Sequence, residues 1–507
     1  MNLAELLTIP AEMFPDQEIL RFEGASLDYG TLRARAARTA AALSAAGVGP
    51  GGRVALIETN SPHGVEVLFA TTALGAAFVP INFRARGDEL AGLVSAASPD
   101  VLLTGRRYAA DVAELHAAPT VLTLDDLAAG EGLDGVADVD DGELAVLMFT
   151  SGTSGTPKAV MLSHGALTGY VLSTTEPTDG TPRGSGLLAV PLHHIAGLTS
   201  VLAAIFSGRR LVIMRQFDAG QWLALVEAER VTNAFLVPTM LKRVLDHPAF
   251  GETDLSSLEL LGYGAAPMPP TVIRRAIEAL PPAVQFVNAF GQTETTSTVT
   301  MLGPEDHRLD GPPEEVERRL RRLSSIGRPL ADVELEVVDD EGRPRPRGEV
   351  GEIVVRSARV MAGYDGRAAE TNETLRGGWL WTRDLGYVDE DGYIFLTGRR
   401  SDLIIRGGEN ISPAEVEAVL ETHETVAEAA VVGVPDEEWG ERVVAAVVAE
   451  PGRACSEEAL IDYCRGRLAG FKRPERIAQV DELPRNALGK LIRSEVRRVL
   501  AEEGGET

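Results

Sequence analysis

The sequence is short of several things, and each shortage excludes something. Aromatic residues make up only 5% of its 507 positions, while glycine occurs 52 times. That balance speaks for a helix- and loop-rich enzyme rather than an all-β binding module. There are two cysteines, Cys455 and Cys464. Without a ligand-spaced partner they suggest neither a disulfide framework nor a zinc site, and ordinary reduced thiols of a cytoplasmic protein are expected. The opening MNLAELLTIPAEMFPDQ has no basic start followed by an apolar core, so no signal peptide is expected. No apolar run approaches the length of a membrane span, so no integral membrane contact is expected. Basic residues are outnumbered, 48 Lys and Arg against 75 Asp and Glu, for a net charge of −27. Such a surface repels nucleic acid and anionic membrane. An anionic ligand would therefore need local donors strong enough to overcome the global field.

What is present has the texture of a multidomain enzyme, and the length calls for two or more domains. Residues 29–46 carry helical apolar spacing up to Gly47. A β-like run follows at 53–57, a helical stretch near 65–75, and another apolar run at 76–81. Strand and helix patterns that alternate this way predict a mostly parallel sheet covered by helices. The alternation recurs over 187–236. After about residue 331 the texture changes to short strands and turns, with DDEG and PRPRG as turn signals and a hairpin expected around 389–392. A third texture begins after Gly398. Ser412-Pro413 reads as a cap and first-turn proline for a helix over 413–422. Runs at 427–434 and 442–448 are β-branched, and 457–468 is helical. The expected fold class is α/β: a large N-terminal domain, residues 1–398, of helix-covered, mostly parallel sheets with a β-rich subdomain at about 331–398, and a small α+β C-terminal domain, residues 399–507.

One loop carries unusual chemistry. Thr150, Ser151, Gly152, Thr153, Ser154, Gly155, Thr156, Pro157 and Lys158 follow an apolar run. Glycine lets backbone approach an oxyanion closely, Ser and Thr add donors, and Lys adds charge. The spacing is not the Walker arrangement. By composition alone, a plain strand-to-helix turn explains the loop equally well.

The full string resembles the phosphate loop of the adenylate-forming superfamily: acyl- and aryl-CoA synthetases, luciferases and the adenylation domains of peptide synthetases. Further motifs follow in the family's order along nearly the whole chain. Gly264, Ala265, Ala266 and Pro267 resemble the segment lining one face of the adenine. Asn288-Ala289-Phe290-Gly291-Gln292-Thr293-Glu294 resembles the next motif, with Phe290 where tyrosine is usual. The resemblance implies that Asn288 bonds the adenine amino group, Phe290 stacks on the base, Thr293 contacts the α-phosphate and Glu294 ligates Mg²⁺. Trp381-Thr382-Arg383-Asp384 resembles a Thr-Gly-Asp motif whose carboxylate takes both ribose hydroxyls, with Arg383 in place of glycine. Gly398-Arg399-Arg400-Ser401-Asp402 resembles the hinge motif: Arg399 would reach the ribose or phosphates, and Ser401 would be the hinge near 399–402 that makes the small domain mobile. Residues 406–415 resemble the stretch that closes on the thioester site, with Gly408 beside the pantetheine path. Leu483-Pro484-Arg485-Asn486-Ala487-Leu488-Gly489-Lys490 resembles the catalytic-lysine motif. Lysine acetyltransferases recognise the same spacing, so Lys490 is a candidate for acetylation, a mark that mass spectrometry of the native protein would reveal.

Pro191-Leu192-His193-His194-Ile195-Ala196-Gly197 resembles a motif in which His194 would sit by the acyl site and gate the thiol path. Adjacent histidines on an extended segment point apart, so no metal site is expected from the pair. The resemblance places Ala196, Ser200, Gly264 and Ala289 near the acid. Small walls imply room, for a medium or long acyl chain or a bulky ring rather than acetate. No Arg or Lys stands at these positions, which argues against a dicarboxylate.

The implied reaction joins a carboxylic acid to coenzyme A, with ATP and Mg²⁺, through an acyl-adenylate. Its catalytic residues would be Lys490, Thr293, Glu294 and His194. Two alternatives stand beside a fatty-acid ligase: an aryl or cyclic acid ligase, and a stand-alone acyl-AMP ligase serving a carrier protein. A catalytically silent binding protein is a third reading, which Lys490, Glu294, Asp384 and Arg399 speak against. The expected partners are small molecules, no nucleic acid and, for a homodimer, a second copy of the chain.

Overall fold

A computed structural model describes residues 1–115, 119–128, 131–133, 135–150, 157–436, 438–485 and 491–502. Packing divides the chain into two compact units, residues 1–334 with 355–380, and residues 335–354 with 381–507. The division runs through the strand Trp379–Val388.

The first unit is built on two large mixed sheets, as the alternating patterns predict. One has the strands Ala77–Pro80, Arg53–Ile57, Val101–Thr104 and Thr120–Thr123 side by side and parallel. Leu144–Thr150 joins Ala77–Pro80 in parallel and turns back antiparallel into Lys158–Ser163. The other runs, from its middle outwards, through Arg210–Ile213, Ser185–Leu188, Asn233–Leu236, Leu260–Gly264 and Gln285–Gln292, all parallel. The chain leaves Ser185–Leu188 to one side through the helix Ile195–Ser207, then returns on the other side as Asn233–Leu236. Such a switch of direction opens a crevice at the carboxyl ends of parallel strands. The helix Tyr29–Ala45 begins where Asp28 accepts the backbone N–H of Thr31 at 2.6 Å. Among the described residues no helix is long and apolar enough to cross a membrane.

An ion pair between a buried arginine and a solvent-accessible aspartate braces the first unit near that crevice. Arg359, 2% exposed, donates to both carboxylate oxygens of Asp332 at 2.5 and 3.0 Å and to the Thr298 carbonyl at 2.9 Å. The Asp332 carboxyl is held below its usual range, chiefly by its hydrogen bond to Arg359. A depressed carboxyl stabilises the fold at neutral pH and loses that contribution as pH falls through its folded-state value. Asp332→Ala leaves the guanidinium buried and unpaired. We expect it to lower the unfolding free energy by about 3 kcal/mol in urea melts. That is the low end for a buried pair, because Asp332 itself is 34% exposed. A change below about 1 kcal/mol would mean that the carbonyl alone satisfies Arg359.

In the second unit, Trp379–Val388 and Ile394–Arg399 form the expected hairpin, closed by Asp389 and Tyr393. A second sheet pairs Val426–Asp436 with Gly440–Ala449, packed by the helices Pro413–Leu420 and Glu457–Arg465. Ser412 does not cap its helix as the sequence suggested. Its hydroxyl donates instead to the Thr397 carbonyl, so tertiary contact outcompetes the local cap. Ser456 does cap the later helix, accepting from the Ala459 N–H.

Candidate active site

The crevice of the first unit holds a cavity of about 320 Å³. Its walls follow from strand register. Partners in a parallel ladder point to the same face. Leu211 pairs with Gly186, Gly186 with Asn233, Asn233 with Leu260, Phe235 with Gly262, Gly262 with Val287, and Gly264 with Ala289. That face therefore carries glycine at 186, 262 and 264 and alanine at 289, which hollows it. The helix Ile195–Ser207 covers it with Ala196, Thr199, Ser200, Ala203 and Ala204, a spacing that keeps small side chains on one helical face.

Of the residues expected near the acid, Ala196, Ser200 and Ala289 line the cavity. Gly264 is flanked by two lining residues, Gly262 and Ala265. A Cβ at Gly264 would lie 2.1 Å from the Ala289 carbonyl oxygen, so the neighbouring strand demands glycine there. Ala265 follows with φ of 65°, a left-handed conformation that costs a non-glycine residue of order 1 kcal/mol or more.

The histidine pair departs from expectation. Residues 191–194 form a turn, closed by the His194 N–H on the Pro191 carbonyl, not an extended segment. The two rings consequently lie 4.2 Å apart, centroid to centroid, instead of pointing away from each other. His193 packs edge-on against Phe83 at 5.3 Å. Burial, with the Arg84 charge adding to it, pushes its imidazole down to about 3, so it is a neutral aromatic wall. His194 immediately precedes the helix Ile195–Ser207.

Two motifs distant in sequence meet around Tyr364. Its hydroxyl donates to Glu294 Oε1 at 3.0 Å, and its ring lies 4.9 Å beneath the Lys158 ammonium. Lys158 is buried and bonded to Glu370 at 2.5 Å, which holds the Glu370 carboxyl below its usual range. Thr150 pairs with Lys158 at the end of its strand, and residues 151–156 (Ser151, Gly152, Thr153, Ser154, Gly155 and Thr156) lie outside the described residues. Thr293 and Glu294 follow the strand Gln285–Gln292, which also carries Phe290. On the same strand Asn288 donates its amide N–H to the Ser325 carbonyl at 3.3 Å, leaving Oδ1 as its acceptor. Ala266 and Pro267 continue the turn beyond Ala265.

In the second unit the structure pairs two expected nucleotide contacts. Asp384 and Arg399 stand opposite each other across the hairpin, with Arg399 Nε donating to Asp384 Oδ1 at 2.8 Å. Arg383 occupies the family's glycine position with φ of 62°, the left-handed conformation glycine would adopt. Its N–H bonds the buried Glu352 carboxylate at 3.0 Å, which also takes Arg400 at 3.1 Å. The departure in sequence thus preserves the backbone shape. Ser401 donates to Asp402 at 3.1 Å, and Asp402 in turn pairs with Arg493. Gly407 and Gly408 both have positive φ, 57° and 86°, and make the two-residue turn between Ile404–Arg406 and Glu409–Ile411. Lys490 lies outside the described residues.

Each unit thus carries its own part of what adenylate chemistry requires: the first a small sheet-and-helix cavity and the Glu294 carboxylate, the second a paired Asp384 and Arg399. Residues 7–365 match the AMP-binding enzyme family, and residues 415–490 match its C-terminal domain. The chain belongs to the AMP-binding enzymes. It is 39% identical to a feruloyl-CoA synthase of an Amycolatopsis species, over 96% of this chain and 97% of the relative. It is 33% identical to a long-chain-fatty-acid–CoA ligase of Mycobacterium tuberculosis, over 93% and 92% of the two chains. Among solved structures, the o-succinylbenzoate CoA synthetase of Bacillus subtilis in complex with its acyl-adenylate superposes with a TM-score of 0.85 at 30% identity, covering 97% of this chain and 98% of the other. This AMP-binding enzyme is therefore an adenylate-forming acid–thiol ligase.

The motif readings missed Arg209, Asn233 and Phe235, which also line the cavity. A signal existed: in LLGYG, glycine on every second residue marks a hollowed strand face, and its register names the neighbours.

Proposed function

We propose that this enzyme activates an apolar-bodied carboxylic acid of medium length, alkyl or aryl, as acyl-AMP and transfers it to coenzyme A. The observation that carries the reading is the cavity. At about 320 Å³ it lies at the low end for small-molecule sites, and its walls are mostly apolar. From Gly264 back to Leu260 it follows four residues of strand, about 13 Å deep. Such a depth suits a phenylpropenoid-sized or medium-chain acid better than a long chain.

The roles follow from chemistry. A carboxylate oxygen of the acid attacks the α-phosphorus of ATP, and pyrophosphate leaves. An anion attacks an anion, so Lys490, Thr293 and the 150–158 donors offset the growing charge. Asn288 Oδ1 accepts from the adenine amino group while Phe290 stacks on the base. Asp384 and Arg399 hold the ribose. Among the described residues no cluster of three metal ligands occurs, yet Glu294 offers one hydrogen-bonded carboxylate. That fits Mg²⁺, which keeps several waters and takes its other oxygens from phosphates. Bound there, the ion would neutralise phosphate charge. The second step is attack of the CoA thiol on the acyl carbon with departure of AMP. His194 would gate the thiol path, and Gly408 would line it after rotation about Ser401.

The test is pyrophosphate release with fatty acids of graded length and with benzoate and cinnamate types, then CoA against holo carrier protein as acceptor. We expect highest kcat/KM for medium-chain or cinnamate-type acids and CoA as the better acceptor. Highest turnover with palmitate-length acids would refute the size argument.

A further inference from the structure

The end of the cavity level with Gly186 and Leu260, remote from Gly264, is polar, and nothing in the reaction so far uses it. Arg209 precedes the strand Arg210–Ile213 and shares a sheet face with Leu211, two residues on. Its side chain runs over Gly186: a Cβ added there would meet Arg209 Cδ at 3.5 Å. Gly186 registers with Asn233, so both side chains belong to the hollowed face, and both line the cavity.

Each group spends only part of its hydrogen-bonding capacity on the protein. Arg209 Nε donates to the Arg183 carbonyl at a long 3.4 Å. Among the described residues, no carboxylate lies within ion-pair distance of its guanidinium. Burial, with the Arg183 charge adding to it and the more distant Glu259 carboxylate opposing it, pushes the guanidinium below its ordinary value. Asn233 Oδ1 accepts from the Thr232 hydroxyl at 2.7 Å, which turns its NH₂ away from that contact. That NH₂ donates to nothing among the described residues. Both residues are half-buried at a largely apolar cavity, and a ligand acceptor there would meet donors that the protein leaves open.

Resting on the ligase reading, we infer that Arg209 and Asn233 read an oxygen acceptor at the end of the acid remote from its reacting carboxylate. The chemical class is an acid with a remote phenolic or carboxylate oxygen on an otherwise apolar body. The position of Arg209 bears on the expectation against a dicarboxylate. No basic residue stands at the motif positions, but the neighbouring strand supplies one from outside them.

The experiment compares plain acids with their oxygenated counterparts in wild type, Arg209→Met and Arg209→Lys: cinnamate against 4-hydroxycinnamate, and octanoate against its ω-carboxylate. Pyrophosphate release gives kcat and KM for each. In wild type, at least one oxygenated acid should be preferred about tenfold to a hundredfold over its parent, through KM. Arg209→Met should erase that preference by costing the oxygenated acids far more than cinnamate and octanoate, and Arg209→Lys should restore part of it. The hydroxyl and carboxylate arms tell which oxygen is read. If wild type uses the plain acids as well as both oxygenated ones, the inference fails and the ligase reading stands. It fails too if Arg209→Met slows all acids alike, because that is a structural effect. No pyrophosphate release with any acid would sink the ligase reading, and the inference with it.

Discussion

Replacing Lys490 with alanine should abolish acyl-AMP formation while leaving thioester formation from supplied acyl-AMP nearly intact. The expected loss in the first step is on the order of a hundred- to a thousandfold, the usual effect of removing one preorganised donor to a developing anion. Lys490 closes the stretch that matches the family's C-terminal domain. In the second step a neutral thiol or its thiolate attacks an acyl carbon and AMP leaves, so no new charge gathers on the α-phosphorus. A cation needed only there has nothing to do in that half. Burst-phase pyrophosphate release measures the first step, and CoA consumption with synthetic acyl-AMP measures the second. Equal losses in both would show that Lys490 serves the whole cycle or supports the fold.

The second large effect is expected at Asp384. Its side chain is 6% exposed and is held by Arg399, whose side chain is 44% exposed. Removing a carboxylate that takes two ribose hydroxyls deletes two charge-assisted hydrogen bonds, each about 1.5–3 kcal/mol. Asp384→Ala should therefore raise the KM for ATP about a hundredfold or more. The fold should change little, because water can solvate the released Arg399. The discriminating ligand is 2′,3′-dideoxy-ATP. Wild type should bind it far more weakly than ATP, whereas the variant should treat the two alike. A variant that still discriminates as strongly as wild type would remove Asp384 from the ribose site.

The family was legible in sequence because its motifs are local. The hydroxyl loop, the Thr293–Glu294 pair and the Asp384 motif are short strings whose residue types match what phosphate, metal and ribose need. The alternating textures likewise foretold parallel sheets, since hydrophobic period is a local property. Local reading failed where a competing contact came from elsewhere. Ser412 follows the capping rule in sequence but spends its hydroxyl on Thr397. His193 and His194 read as extended, yet a turn onto Pro191 folds their rings together. Arg383 breaks the glycine pattern, but the Glu352 carboxylate accepts its N–H in the left-handed conformation.

The sequence by itself determined the reaction class, because the family's motifs are short strings that follow one another in the family's order. Tertiary structure alone decided what surrounds the acid. Gly186, Asn233 and Leu260 become one wall only through hydrogen-bonded register between strands far apart in the chain. That register hollows the cavity, sets its depth and brings Arg209 to its end, since side-chain facing follows pairing and not position along the sequence.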